Sequence, residues 1–267
     1  MFEPIPRKLF AAEVFDQLRD RIVTGEVLPG TSLPAERLLA TMLKVNRNAV
    51  REGLKRLEQA GLVAIRQGGA TQVLDYRRHA GLGLLPSLIV RAGGTIDTGV
   101  VRSVVELRSE LGPVVARLAA ERANDEQRAA LDGIVAAMQA AKERGDDVGV
   151  LARLALDFWA LMVAATDNIA LQLAFNSLAA TYGGVVEQMR HLMADEVSAT
   201  QDYARLAAAV AARRAADAAA ATRRITARGR AAVLDLLRAV DEVNPKQGST
   251  HERKHDQRQH RRLRRRR

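Results

Sequence analysis

Between Leu33 and Leu54 the chain sets out side chains that can read a base pair, with Asn46, Arg47 and Asn48 in succession and Arg51 one helical turn later. Arginine can donate two parallel hydrogen bonds to O6 and N7 of guanine, and the amide of asparagine can pair with adenine. A recognition helix in the major groove presents its N-terminal residues to base edges, which is where these four stand. Arg37, near the start of the preceding helical segment, is placed to reach a base edge or a phosphate. Each of these residues taken singly is also compatible with an ordinary solvated charge. Their joint placement is what points to duplex DNA.

The elements that must position them follow from periodicity and punctuation. Val14, Phe15, Leu18 and Ile22 recur at helical spacing and predict a first helix over roughly Ala11 to Thr24, stopped by Gly25 and the Leu28-Pro29-Gly30 turn. A second helix runs from Glu36 to Leu43, entered through Leu33-Pro34-Ala35. Lys44 and Val45 make the turn, and Asn46 caps a third helix, Arg47 to Ala60, whose buried stripe is Val50, Leu54 and Leu57. Gly61 ends it, and Leu62 to Arg66 with Thr71 to Leu74 read as two short strands around Gln67-Gly68-Gly69-Ala70. Three helices and a hairpin compose a winged helix-turn-helix over residues 1–75.

Residues 76–97 read as a linker with a short helix, since a polar Tyr76-Arg77-Arg78-His79 precedes a glycine-interrupted apolar run. From Thr98 to Val243 the pattern is Ala- and Leu-rich helix, about six helices with breaks near Asn124, Gly145, Asp167, Ala194 and Ala215. Pro113 should kink or divide the first of them. The fold class expected is mainly α: an N-terminal winged helix-turn-helix with a small β-hairpin wing, then a C-terminal all-α helical bundle.

The net charge of +10 is misleading until it is located. Lys246 to Arg267 carries ten Lys or Arg against two acidic residues, a net of +8, so the remaining body holds only +2. The segment 244–267 therefore reads as a disordered basic tail, either adding salt-sensitive affinity for phosphate or serving as a solvated extension. With no cysteine, disulfides, thiolate metal sites and cysteine nucleophiles are excluded. The N-terminal MFEPIPRKLF lacks an apolar signal region, and no run approaches the ~20 apolar residues of a membrane span. A cytoplasmic, nucleoid-associated protein without a membrane partner is expected.

The run Thr31-Ser32-Leu33-Pro34-Ala35-Glu36-Arg37, the segment Val45-Asn46-Arg47-Asn48-Ala49-Val50-Arg51-Glu52-Gly53-Leu54, and Leu57, Gly61-Leu62-Val63 and Gly68-Gly69 together resemble the GntR family of bacterial regulators. The resemblance implies operator contacts from Arg37, Arg47 and Arg51, with Gln67, just before the wing glycine Gly68, entering the minor groove. At Ala35 the family usually has a capping serine, a loss of about 1 kcal/mol to the helix cap.

Residues 96–243 resemble the all-helical effector domain of the FadR subfamily through Val105-Glu106-Leu107-Arg108-Ser109-Glu110-Leu111, Leu118-Ala119-Ala120-Glu121-Arg122, Asp157-Phe158-Trp159 and Ala165-Thr166-Asp167-Asn168. Many relatives hold a divalent metal there through an Asp and three His. Here the corresponding positions are Ala155 and Trp159, with the later two near Tyr203 and Arg228, and only His79 and His191 precede Lys246. These are not usual ligands, so no metal or other cofactor is expected. The metal-free, acyl-CoA-responsive members then become the model. That resemblance implies effector contacts from Arg108, Asn168 and Tyr182 and a fatty acyl-CoA or other carboxylate as effector. Arg108 has a second reading, as ion-pair partner of Glu106 or Glu110, and Trp159 a second reading as core.

Three functions follow for comparison. The first is a ligand-responsive regulator, a repressor, binding a palindromic operator as a homodimer. The second, an enzyme, lacks any Ser-His-Asp arrangement, phosphate loop or metal cluster in the sequence and is short of the commonest general base, histidine. The third is a nonspecific architectural DNA-binding protein dominated by the arginine tail.

Overall fold

A computed structural model describes residues 8–66, 70–90, 95–189 and 194–243. The chain divides into two compact units, Met1–Ile96 and Asp97–Arg267.

The first unit is built on α1 (Lys8–Val23), α2 (Glu36–Leu43) and α3 (Arg47–Gln59). Val14, Leu18 and Ile22 of α1 face Val50, Leu54 and Leu57 of α3 in one core, with Phe15 packed at its edge. The two helices cross where Gly53 leaves room: a Cβ there would stand 2.6 Å from Val14 Cγ1. α2 starts at Ala35 with no side-chain cap, as its missing hydroxyl dictates. It stops at Lys44, whose φ of 53° turns the chain left-handed into α3. Asn46 caps α3, its Oδ1 accepting from the Ala49 N–H at 2.8 Å. Gly61, at φ 72°, reverses the chain after α3.

The wing strands are shorter than the apolar pattern suggests. β1 (Val63–Ala64) pairs antiparallel with β2 (Gln72–Val73), Val63 opposite Val73 and Ala64 opposite Gln72. A third extended segment, invisible to a period-two search, lies on the other side of β2. The Val73 N–H donates to Thr31 O, and Gly30 and Leu33 donate to Val73 O and Thr71 O. The approach to α2 is thereby tied to the wing base.

The stretch expected to be a linker is instead folded onto this unit. α4 (Tyr76–His79), a 3-10 turn at Leu82–Leu84 and α5 (Leu85–Ile89) bring Leu84 into the core, with Tyr76, Ala80 and Leu88 packed against it. The polar and glycine residues that suggested a joint lie between apolar ones that each find a buried contact. Val90 then bridges to Ile96.

The second unit contains α6 (Thr98–Arg122), α7 (Asp125–Glu143), α8 (Val148–Ala164), α9 (Ile169–Met189), α10 (Ala194–Val197), α11 (Thr200–Ala211) and α12 (Ala215–Val243). Short polar caps set the starts: Asp97 for α6, a reciprocal Asn124–Gln127 capping box for α7, and Asp147 for α8. The helix breaks fall near the residues the sequence marks, with one more than expected, because the chain bends again between Val197 and Thr200. Pro113 neither ends nor divides α6. Val115, Ala116, Ala119 and Ala120 are buried just beyond it, and that packing outweighs the hydrogen bond proline cannot make. Phe158, Tyr203, Leu131, Met138, Met162, Leu206 and Ile225 fill the centre.

Candidate DNA-reading surface and effector cavity

In the first unit Arg37, Asn46, Arg47, Asn48 and Arg51 are all exposed. The buried stripe of α3 fixes its opposite face outward, and the Asn46 cap fixes where its first turn begins. Arg51 is held from the side by Glu36, at the start of α2: its Nη2 lies 3.0 Å from Glu36 Oε2, and its Nε also points at that carboxylate. Hydrogen bonding to Glu36, and then its charge, raise the Arg51 pKa above the already high arginine value. An ion pair made through Nε and Nη2 leaves the Nη1 side of the fork for a base or phosphate. Glu36 thus holds one side of the Arg51 fork, a contact that motif reading passed over although Glu36 sits inside the quoted run. Glu58 ties the wing to the end of α3, accepting at Oε1 from the Ile65 N–H at 2.8 Å. Gln67 and Gly68 lie outside the described residues.

In the second unit α6, α8 and α9 line, with two residues from α10 and one each from α11 and α12, a cavity of about 230 Å³. Its wall is mostly aliphatic and aromatic: Leu111 and Val115, Trp159 and Val163, Leu171, Phe175 and Leu178. Two of its charged groups form a pair. Arg108 Nη2 donates to Glu196 Oε1 at 2.5 Å, the side chains being 16% and 2% exposed. Arg108 lines the cavity and is also an ion-pair partner, the acid being Glu196 of α10, 88 residues away, where Glu106 or Glu110 was the expectation. A contact across that separation carries no local sequence signal.

The other expected effector contacts fare differently. Asn168 is not in the cavity wall; its Oδ1 accepts from the N–H groups of Ala170 and Leu171 and starts α9. An asparagine following a helix break is drawn to that duty by the orphan donors of the next helix. Tyr182 is on α9, and its side chain lies outside the described residues.

Of the residues at or near the ligand positions that the resemblance implies, Ala155, Trp159 and Tyr203 line this cavity. An alanine, an indole and a phenol form no donor set for a divalent ion. The fourth, Arg228, pairs with the buried Asp202, as does Arg205. Phe158 stacks edge-on against both Trp159 and Tyr203, with centroids 6.1 and 5.2 Å apart, fixing those rings. Where a metal would sit in such relatives, this chain builds an aromatic wall.

Comparison with known proteins agrees with both halves. A family model described as bacterial regulatory proteins, gntR family, matches residues 10–73, and an FCD domain model matches residues 103–228. The HTH-type transcriptional regulator Mce2R of Mycobacterium tuberculosis is 42% identical over 208 residues, covering 78% of this chain and 85% of that protein. The fatty acid metabolism regulator protein of Vibrio parahaemolyticus is 32% identical over 114 residues, covering 40% of this chain and 39% of its own. Among solved structures, that of Lar, which controls expression of the Listeria monocytogenes agr system, covers 88% of this chain and 99% of its own with a TM-score of 0.54 at 14% identity, a likeness of fold. The protein is a DNA-binding transcriptional regulator and not an enzyme. It belongs to the GntR family, with a helix-turn-helix domain followed by an all-helical FCD effector-binding domain. No helix among the described residues is long and apolar enough to cross a membrane.

Proposed function

We propose that this chain is a repressor that binds a palindromic operator as a homodimer and is released by a small molecule held in the cavity of its helical domain. The observation that carries the reading is the exposed set Arg37, Arg47, Asn48 and Arg51 around the capped start of α3. Arg47 and Arg51 address guanines, Asn46 and Asn48 address adenines, Arg37 takes a base edge or phosphate, and Gln67 with Gly68 at the wing tip takes the minor groove. Two copies related by a twofold axis read two half-sites, so the operator mirrors the protein's symmetry. A dimer seated on a promoter excludes other proteins from it, which gives repression as the default sign.

The effector has a mostly apolar body, since the cavity wall is aliphatic and aromatic. Fatty acyl-CoA or another carboxylate, the class implied by the subfamily resemblance, supplies such a body. Its polar head would face Arg108, which lines the cavity. The test is fluorescence anisotropy of a labelled palindromic promoter fragment against a scrambled one at physiological salt. Preference for the palindrome, with two chains per fragment by native mass spectrometry, supports the reading; equal affinity for both fragments overturns it.

A further inference from the structure

We infer that the effector of this chain carries a neutral hydroxyl head, an apolar alcohol rather than a free acid, and that Glu196 is the residue that selects it. The inference rests on the proposed role of the cavity and departs from the carboxylate class that the resemblance implies for its ligand. Glu196 is 1% exposed and lines the cavity. Its Oε1 is engaged by Arg108, while its Oε2 is buried with no hydrogen-bond partner among the described residues. A buried carboxylate oxygen left unpaired is costly, and a ligand that donates to it recovers that cost. On the same wall the Trp159 Nε1 is a buried donor, likewise without a partner among the described residues. Indole N–H only donates and a carboxylate paired to a guanidinium only accepts, so the cavity asks for a ligand that does both. A hydroxyl carries both capacities on one atom.

A free carboxylate fits poorly. It cannot donate to Oε2, and it would set a second negative charge beside Glu196 with only the Arg108 guanidinium buried between them, since Arg153, the other guanidinium of the lining, is exposed to water that screens it. To claim Arg108 for itself it would have to expel a fully buried glutamate. An ammonium could donate, but it would face the Arg108 charge and could not accept from Trp159. The cavity, about 230 Å³, has the space of about eight waters at ~30 Å³ each, enough for a medium-length alkyl chain.

Trp159 is the chain's only tryptophan, so its emission reports the cavity directly. The full-length protein is titrated with 1-octanol and, separately, with octanoate, following Trp159 emission. Octanol should shift the emission saturably with a Kd at least about tenfold below that of octanoate, the size of one charge-assisted hydrogen bond. In Glu196→Gln the guanidinium loses its anionic partner, and the preference should reverse toward octanoate. Octanoate binding wild-type protein as tightly as octanol, or octanol leaving Trp159 unmoved up to its solubility, overturns the inference even if the variant fails to fold. Operator binding without ligand is measured in a separate experiment, so loss of this inference and loss of the regulator reading are distinguishable.

Discussion

Asn46 holds two duties at once, and they can be separated. Its Oδ1 accepts the Ala49 N–H at 2.8 Å, satisfying one of the orphan donors of α3, while the same side chain stands exposed at the groove-reading end. Replacing it by alanine removes the cap, a loss of about 1 kcal/mol of stability within a range of roughly 0.5–2. Serine restores an acceptor at the same position and ranks with asparagine as a cap, so Asn46→Ser should unfold within about 0.5 kcal/mol of wild type. What serine cannot restore is the amide. With one lone pair of Oδ1 already committed to Ala49, the base contact is worth the lower end of the usual range, about 1 kcal/mol, or some fivefold in operator affinity. Urea unfolding followed by circular dichroism measures the first quantity, and anisotropy on operator and scrambled fragments the second. Asn46→Ala should lose both stability and operator preference, and Asn46→Ser operator preference alone. A serine variant that binds the operator as wild type does would make Asn46 a cap and nothing more. An alanine variant as stable as wild type would refute the reasoning about the cap.

Arg47→Ala should lose about 1–3 kcal/mol on the operator and relax its base preference, whereas an equal loss on random DNA would reassign Arg47 to a phosphate. Glu36→Gln should weaken operator binding by freeing Arg51 while strengthening binding to scrambled DNA by removing a negative charge; both affinities rising together would reduce Glu36 to a simple repulsive charge. Gly53→Ala gains about 0.5–1 kcal/mol of helix propensity but sets a Cβ 2.6 Å from Val14 Cγ1, so overpacking of about 1–3 kcal/mol should win, as a lower thermal midpoint of the first unit. Deleting Lys246–Arg267 removes ten cationic side chains, so affinity for scrambled DNA and the salt dependence should fall while operator preference survives; loss of that preference would favour a nonspecific, tail-driven protein.

What could be read in the sequence divides along the range of the interactions. The α2 bounds, the Asn46 cap, the left-turning end of α3 at Gly61 and the buried stripe Val50, Leu54 and Leu57 are local, and periodicity with punctuation finds them. The segment 76–97 was harder, because its short apolar stretches acquire meaning only when Leu84 meets a core assembled from residues far earlier in the chain. That Pro113 does not divide α6 has the same reason: its local cost is certain, and the burial that offsets it comes from distant helices. The exposure of Arg37, Arg47 and Arg51 is legible from type and spacing, while the pairing of Glu196 is not. Nothing near Ala194 marks a glutamate as the partner of Arg108, and only the fold brings α6 and α10 together. Asn168 shows the opposite failure, a polar residue in the right neighbourhood whose hydrogen bonds are spent on its own helix.

An effector can change operator occupancy only by as much as it discriminates between two arrangements of the protein. A tenfold change requires about 1.4 kcal/mol and a hundredfold about 2.7. The apolar wall supplies affinity, but alkyl contacts spread over α6, α8 and α9 are easily conserved as helices slide, so they discriminate weakly. A directed hydrogen bond to Glu196 Oε2 is different. A bond to a charged group contributes roughly 1.5–3 kcal/mol and is lost within a small displacement of donor from acceptor. α10, the four-residue helix that carries Glu196, is also the smallest element of its unit, and Arg108 ties it to the long α6. On the inferred alcohol ligand, a single hydroxyl meeting that carboxylate in one arrangement and missing it in the other would supply the whole free energy that a tenfold to hundredfold switch needs.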